Sequence, residues 1–322
     1  MLSQTLRLLY RLPRTIRNPA RTSAWGFALA LFLPAVLLAG MASPAAADQH
    51  PDTLKKIREK GVIVVGHRLT EVPFSYVIDG KPAGYSIELC HRIVDGLKAS
   101  LGMPDIAIEY VPVTAATRFV LIKAGRIDME CAATTNNAER RKLAEFTYPH
   151  FITATRFVAK ASAHLDKVAD LAGRSVAATT GTINLEQLNA VNRSRGLNVS
   201  VLLNKGHKEA FDMVENGRAS AFVMDDILLA GLVAAASDPS AFTISSETLS
   251  PPEPYGIMLP SGDLTFKAEV NAILKRIYTD GEITAIYDRW FQSPVPPDGF
   301  NMKLPMSDEL KSFIKEPREY DH

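Results

Sequence analysis

From residue 52 onward the chain alternates short apolar runs with amphipathic stretches. A short helical segment at 52–60 ends at Gly61, and VIVVG follows as an unbroken apolar run, the pattern of a parallel strand covered on both faces. Ile87, Cys90, Ile93, Val94 and Leu97 recur at helical spacing and predict a long helix with one apolar stripe. A strand at 106–113, a helix at 114–125 ending at Gly125, and a third strand at 128–131 complete this first set. The plan then restarts. Residues 170–191 read as helix, strand, turn and helix; strands at 199–204 and 219–226 follow, with a helix after Gly206-His207 and through Glu215-Asn216-Gly217 between them. Past Pro251 and Pro252, residues 253–263 predict one further strand, and helices close the pattern at 264–278 and 282–291. Regular alternation of this kind implies an α/β fold whose ligand sits at the C-terminal ends of the strands.

Residues 1–47 depart from that plan. They carry Arg7, Arg11, Arg14, Arg17 and Arg21, no acidic residue, a long apolar stretch, and Ala45-Ala46-Ala47 before Asp48. This order predicts a secretory signal peptide cleaved after Ala47. No cysteine follows the apolar run to carry a lipid. Without the segment, the 36 Lys+Arg fall to 31 against 35 Asp+Glu, so the basic patch leaves with it and the remainder is mildly acidic. At 47% apolar and 22% charged, the chain has the composition of an ordinary globular protein. Cys90 and Cys131 would meet an oxidising compartment, but sequence does not place their Cα atoms, and a bridge stays open.

The stretch that concentrates chemistry is AATTNNAERR, residues 132–141, entered from Met129, Glu130 and Cys131. Small hydroxyl residues lead into a helix start with an early arginine. With GVIVVGHR, VPFSY, FVMDDILLAG and the late PVPP followed by NM, it resembles the extracellular solute-binding proteins that capture polar amino acids, and within them the glutamate/aspartate-binding branch. The resemblance implies a two-lobed, type II periplasmic-binding-protein-like α/β fold, each lobe a mostly parallel sheet flanked by helices, joined by two hinge crossings. Its expected division is 48–156 for the first part of lobe 1, 157–250 for lobe 2, and 251–322 for the return to lobe 1.

Carried over by motif, the resemblance implies that Arg68, Arg118 and His207 hold a ligand's side-chain carboxylate, that Thr135, Arg140 and the turn at Thr180 and Thr182 hold its α-carboxylate, and that Asp225 takes its ammonium. Asp226 is left to cap the next helix. A dicarboxylic amino acid needs two cationic sites and one anionic one, since each buried charge requires a partner. Arginine suits the carboxylates because its planar fork donates two parallel hydrogen bonds. The implied function is a periplasmic, monomeric binding component of an ABC importer, closing on glutamate or aspartate and delivering it to an inner-membrane permease. Two positions depart from the branch, which usually has hydroxyl residues where this chain has Ala115 and Ala133. The competing reading is a dehydratase-like enzyme on the same fold, with Glu71 or Asp225 as general acid.

No Walker loop, G-x-G-x-x-G, H-E-x-x-H or G-x-S-x-G occurs, and seven His with two Cys show no metal-ligand spacing, so neither a cofactor nor a metal is expected. Aromatic residues, at 8%, are not interleaved with basic ones as in single-strand nucleic-acid binders.

Overall fold

The computed structural model describes residues 51–320; the signal peptide expected at 1–47 lies outside the described residues. Helix α1 (Thr53–Lys60) is capped by the Asp52 carboxylate, which accepts from the Lys55 N–H at 2.9 Å, and ends at Gly61 in a left-handed conformation. Strand β1 (Val62–His67) runs straight into the hairpin strands β2 (Thr70–Glu71), β3 (Ser75–Ile78) and β4 (Lys81–Ala83). Helix α2 (Tyr85–Leu101) buries the predicted stripe of Ile87, Cys90, Ile93, Val94 and Leu97. Then come β5 (Ala107–Pro112), the short α3 (Arg118–Lys123), β6 (Met129–Glu130), the single-turn α4 (Ala138–Arg141), and β7 (Glu145–Phe146).

The chain leaves this half through β8 (Phe151–Thr153) into β9 (Thr155–Lys160). There it builds β10 (Ser175–Thr179), α5 (Ile183–Arg195), β11 (Ser200–Asn204), α6 (His207–Glu215), β12 (Ala221–Asp225), α7 (Asp226–Ala234) and β13 (Phe242–Ile244). It returns by β14 (Glu253–Tyr255) into β15 (Met258–Leu259), then α8 (Leu264–Thr279), α9 (Glu282–Tyr287) and α10 (Asp308–Lys315).

Two five-stranded sheets result, ordered β5-β1-β6-β15-β7 and β11-β10-β12-β9-β13. Each is mixed rather than mostly parallel. β1 pairs in parallel with β5 and β6, and β10 with β11 and β12, but β15 and β9, the strands by which the chain re-enters or enters a lobe, run antiparallel to their neighbours. A strand arriving from across the hinge comes in from the end where the parallel strands finish, so its direction is reversed. The two crossings lie side by side as a ribbon in which β8 and β14 pair antiparallel. The segment read as one return strand is therefore two, one in the ribbon and one in the first sheet.

Around the ribbon Phe74, Tyr85, Phe151, Tyr255 and Phe291 pack edge to face and stacked, with Phe74 4.9 Å from Phe151 and 5.3 Å from Tyr255 between ring centroids. All five are buried. Such aromatic pairs each add roughly 0.5–1.5 kcal/mol beyond their area burial. Because Phe74 follows the loop that carries Arg68 and Glu71, this cluster fixes that loop against the hinge. Cys90 of α2 and Cys131, just past β6, form a disulfide with their Cα atoms 6.3 Å apart, which resolves the pairing left open by sequence.

Candidate functional site

The loops and strand ends of both sheets bring charged side chains together around one small cavity of about 10 Å³, room for roughly one water. From the first lobe come Glu71, Arg118, Ala133, Thr135 and Arg140; from the second come Thr182, Asn184, His207 and Asp225. Six of the eight residues picked out by sequence thus meet here. Two do not. Thr180 is exposed, its N–H bonded to Asn204 O at 3.0 Å, because the turn directs Thr179 and Thr182 inward and Thr180 out. Arg68 is buried but stands behind Glu71 and does not line the cavity.

Glu71 is the centre of the first cluster. Its Oε1 pairs with the Arg68 guanidinium and with His207 Nε2 at 3.1 Å, and its Oε2 accepts from the Ala133 N–H at 3.1 Å. Burial alone raises the pKa of Glu71, but Arg68 and His207 outweigh it and hold the carboxyl at about 2. His207 is pushed below its ordinary value, first by burial and further by Arg68. A neutral ring facing an ionised carboxylate donates through Nε2, so Nδ1 accepts from the Thr179 hydroxyl at 2.9 Å.

The second cluster surrounds Arg118, the first residue of α3. Its nearest carboxylate oxygen, Glu130 Oε1, is 4.0 Å from Nη1, and its buried Nε has no hydrogen-bond partner. Glu130 accepts from the Thr134 hydroxyl at 2.7 Å through Oε2 and leaves Oε1 unpartnered; burial raises its pKa. Arg140 donates from Nη1 to Thr135 O at 3.1 Å, and burial lowers its pKa to about 10, with Arg118 adding to the effect. Both guanidinium carbons lie on one ring, 5.5 and 5.6 Å from the centroid of Phe119.

Helix α4 is one turn long, and the Asn137 side chain caps it by accepting from the Arg140 N–H at 2.9 Å. The Thr182 hydroxyl is likewise engaged, donating to Thr179 O at 2.7 Å and accepting from Leu185 N at 3.3 Å as the cap of α5. Asp225, at the end of β12, accepts from Asn184 Nδ2 at 2.7 Å and from the Tyr255 hydroxyl at 2.5 Å. Burial raises its pKa to about 6. Asp226 turns away: its Oδ1 takes the Thr153 hydroxyl and the Ile227 N–H, each at 2.7 Å, inside the first turn of α7 rather than as its cap.

Sequence reasoning missed Glu71 as a partner of Arg68, gave Glu130 no role beyond leading into the motif, and gave Asn184 and Tyr255 none. The i, i+3 spacing of Arg68 and Glu71 was a usable signal, and so was an acidic residue at the end of an otherwise apolar strand, since buried charge needs a partner.

Two α/β lobes joined by a paired crossing, with charged groups from both converging on one cavity, define a two-lobed binding protein for a small polar ligand. The chain belongs to the bacterial extracellular solute-binding proteins, family 3, whose family model matches residues 63–293. This is a solute-binding class and not an enzyme class. The chain is 40% identical over 291 residues to the L-glutamate/L-aspartate-binding protein of Pseudomonas aeruginosa, covering 90% of this chain and 96% of that protein. It is also 40% identical over 293 residues to the glutamate/aspartate import solute-binding protein of Escherichia coli K12, covering 90% of this chain and 95% of that one. Among solved structures, an ancestral arginine-binding protein bound to arginine matches with a TM-score of 0.65 and 27% identity, covering 72% of this chain and 99% of that one.

Proposed function

We propose that this protein is the periplasmic binding component of an ABC importer and takes acidic amino acids, aspartate and glutamate. The observation that carries the reading is the convergence of Arg118 and Arg140 from one lobe with Asp225 from the other on a single buried cavity. Arg140 would meet the α-carboxylate and Asp225 the ammonium, leaving Arg118 for the second carboxylate. The similarity to glutamate/aspartate-binding relatives supports the same ligand class.

In this reading the lobes divide at about the β8–β14 ribbon, with 48–156 and 251–322 on one side and 157–250 on the other. A ligand gripped from both sides favours the closed arrangement because only that arrangement completes its contacts. An inner-membrane permease then reads closure of a monomer. Residues 1–47 serve as the signal peptide, removed after Ala47. The dehydratase-like alternative loses Glu71, which Arg68 holds ionised, and rests on Asp225 alone, whose pKa burial raises to about 6. Titration calorimetry of refolded mature protein against aspartate, glutamate, glutamine and an amine-free ring carboxylate tests the proposal. Heat from the two acids supports it, and heat from the amine-free acid alone overturns it.

A further inference from the structure

Glu71 already occupies what a ligand's second carboxylate would be expected to fill. Its two oxygens take the Arg68 guanidinium, His207 Nε2 and the Ala133 N–H, the donors available at that end of the site. A carboxylate supplied by guanidinium, ring N–H and backbone N–H is fully satisfied. A second carboxylate forced into the same place would face an ionised one inside a buried cluster, where like charges repel strongly. Arg68 is thereby spent on an internal partner and is screened from the cavity.

The other boundaries agree with a shortened pocket. Gly181, with φ +82°, lies so close on the Ala115–Ala116 backbone that a Cβ there would come within 2.7 Å of Ala116 Cα. The lobes therefore touch across the position where Ala115 carries no hydroxyl. Ala133, the other such position, lends its N–H to Glu71. What is left for a ligand is Arg118, with its unpartnered buried Nε, and Arg140, both against Phe119.

We propose that Glu71 is a specificity-determining residue, a resident carboxylate that fills the distal half of the site and makes it select the four-carbon acid aspartate, reaching Arg118 alone, over the five-carbon acid glutamate. The inference rests on the acidic-amino-acid reading above. Aspartate's second carboxylate needs only Arg118. Glutamate's, one methylene longer, would have to displace Glu71 from Arg68 and His207 or lie against it.

The test is calorimetry of wild type, Glu71→Ala and Glu71→Gln with aspartate and glutamate, with thermal melts to confirm folding. Wild type is expected to bind aspartate at least tenfold more tightly than glutamate. Glu71→Ala frees Arg68 and His207 and is expected to raise glutamate affinity at least tenfold, narrowing or reversing the preference. Glu71→Gln keeps the side chain's shape, guards against misfolding, and should raise glutamate affinity by a smaller factor through loss of the negative charge. Glutamate bound by wild type as tightly as aspartate, or more weakly by both folded variants than by wild type, overturns the role of Glu71. Failure of all three folded proteins to bind either acid instead overturns the ligand class.

Discussion

Asp225 and Tyr255 join the site to the hinge: the Tyr255 hydroxyl, on the returning ribbon strand, donates to Asp225 Oδ2 at 2.5 Å, while Asn184 holds Oδ1. The carboxylate that would meet a ligand's ammonium is therefore oriented by the same strand that carries the chain between the lobes. Burial raises its pKa to about 6, so ionised Asp225 is strained in the unliganded protein. Replacing it with asparagine is expected to weaken binding of every α-amino acid by on the order of 3 kcal/mol, about a hundredfold. The same change should stabilise the unliganded fold at pH 8 by up to about 3 kcal/mol, the cost of ionising Asp225 from its raised pKa. Calorimetry and urea titration of Asp225→Asn check the two halves; lost binding without gained stability would mean that the carboxylate is not strained.

The raised pKa also sets a pH window. Between the unfolded value of 3.8 and about 6 the folded protein keeps the Asp225 proton that the unfolded chain loses, so this group's contribution to stability falls as pH rises through the window. Ligand binding has the opposite slope, because an ammonium prefers the ionised form. Affinity for aspartate is expected to rise as pH climbs from 5 through about 6 and to level off above it, with net proton release in that interval. Glu130, also raised by burial, faces the carboxylate end at Arg118 and would give proton uptake instead. Comparing wild type with Asp225→Asn in two buffers of different ionisation heat isolates the Asp225 share; an unchanged proton count would assign the titration elsewhere.

The Cys90–Cys131 bridge closes a sequence separation of 41 residues and anchors the strand end from which the AATTNNAERR stretch departs. Chain-entropy reasoning puts its worth at about 4 kcal/mol at 25 °C. Cys90→Ser/Cys131→Ser, or wild type under reductant, should lose 2–4 kcal/mol by urea titration, and aspartate affinity should fall less than tenfold because neither sulfur reaches the cavity. A loss of affinity matching the loss of stability would show that the bridge sets the site's geometry.

How much of this was legible in the sequence depended on whether a side chain's partner was local. The stripe of α2, the burial of β1 and the restart of the pattern follow from periodicity, and they stand in the structure as read. Helix α3 is shorter than its apolar pattern, running Arg118–Lys123 instead of 114–125, because Thr114 and Thr117 bond each other's backbone and side chain in a turn that periodicity does not register. Helix α9 stops at Tyr287, and residues Asp288–Gln292 widen into a π turn. In the site, motif position brought Arg118, Thr135, Arg140, Thr182, His207 and Asp225 to one cavity. The count of charges tallied arginines without their buried acids: Glu71 pairs with Arg68, and Glu130 lies beside Arg118. The Arg68–Glu71 pair had a local signal in its i, i+3 spacing, but His207 reaches Glu71 across 136 positions of chain, and no local spacing announces that approach.

In the proposed site, recognition of a second carboxylate would turn on Arg118. Its guanidinium is buried, its Nε lacks a partner, and its nearest counter-charge is 4.0 Å away, so it holds donor capacity that no protein acceptor uses. Arg140, by contrast, already donates to Thr135 O and in the proposed site would serve any α-carboxylate. Arg118→Gln keeps a donor and much of the stem while removing the positive charge. Losing a charged hydrogen bond of roughly 1.5–3 kcal/mol should weaken aspartate binding by one to two orders of magnitude and change asparagine binding by less than threefold. Preference for the acid over its amide would then nearly vanish. Arg140→Gln should instead weaken both ligands alike, because both carry the α-carboxylate. Calorimetry with the two ligands on the two variants separates the cases: equal losses for acid and amide in Arg118→Gln would place the second carboxylate away from Arg118 and leave that residue a structural counter-ion to Glu130.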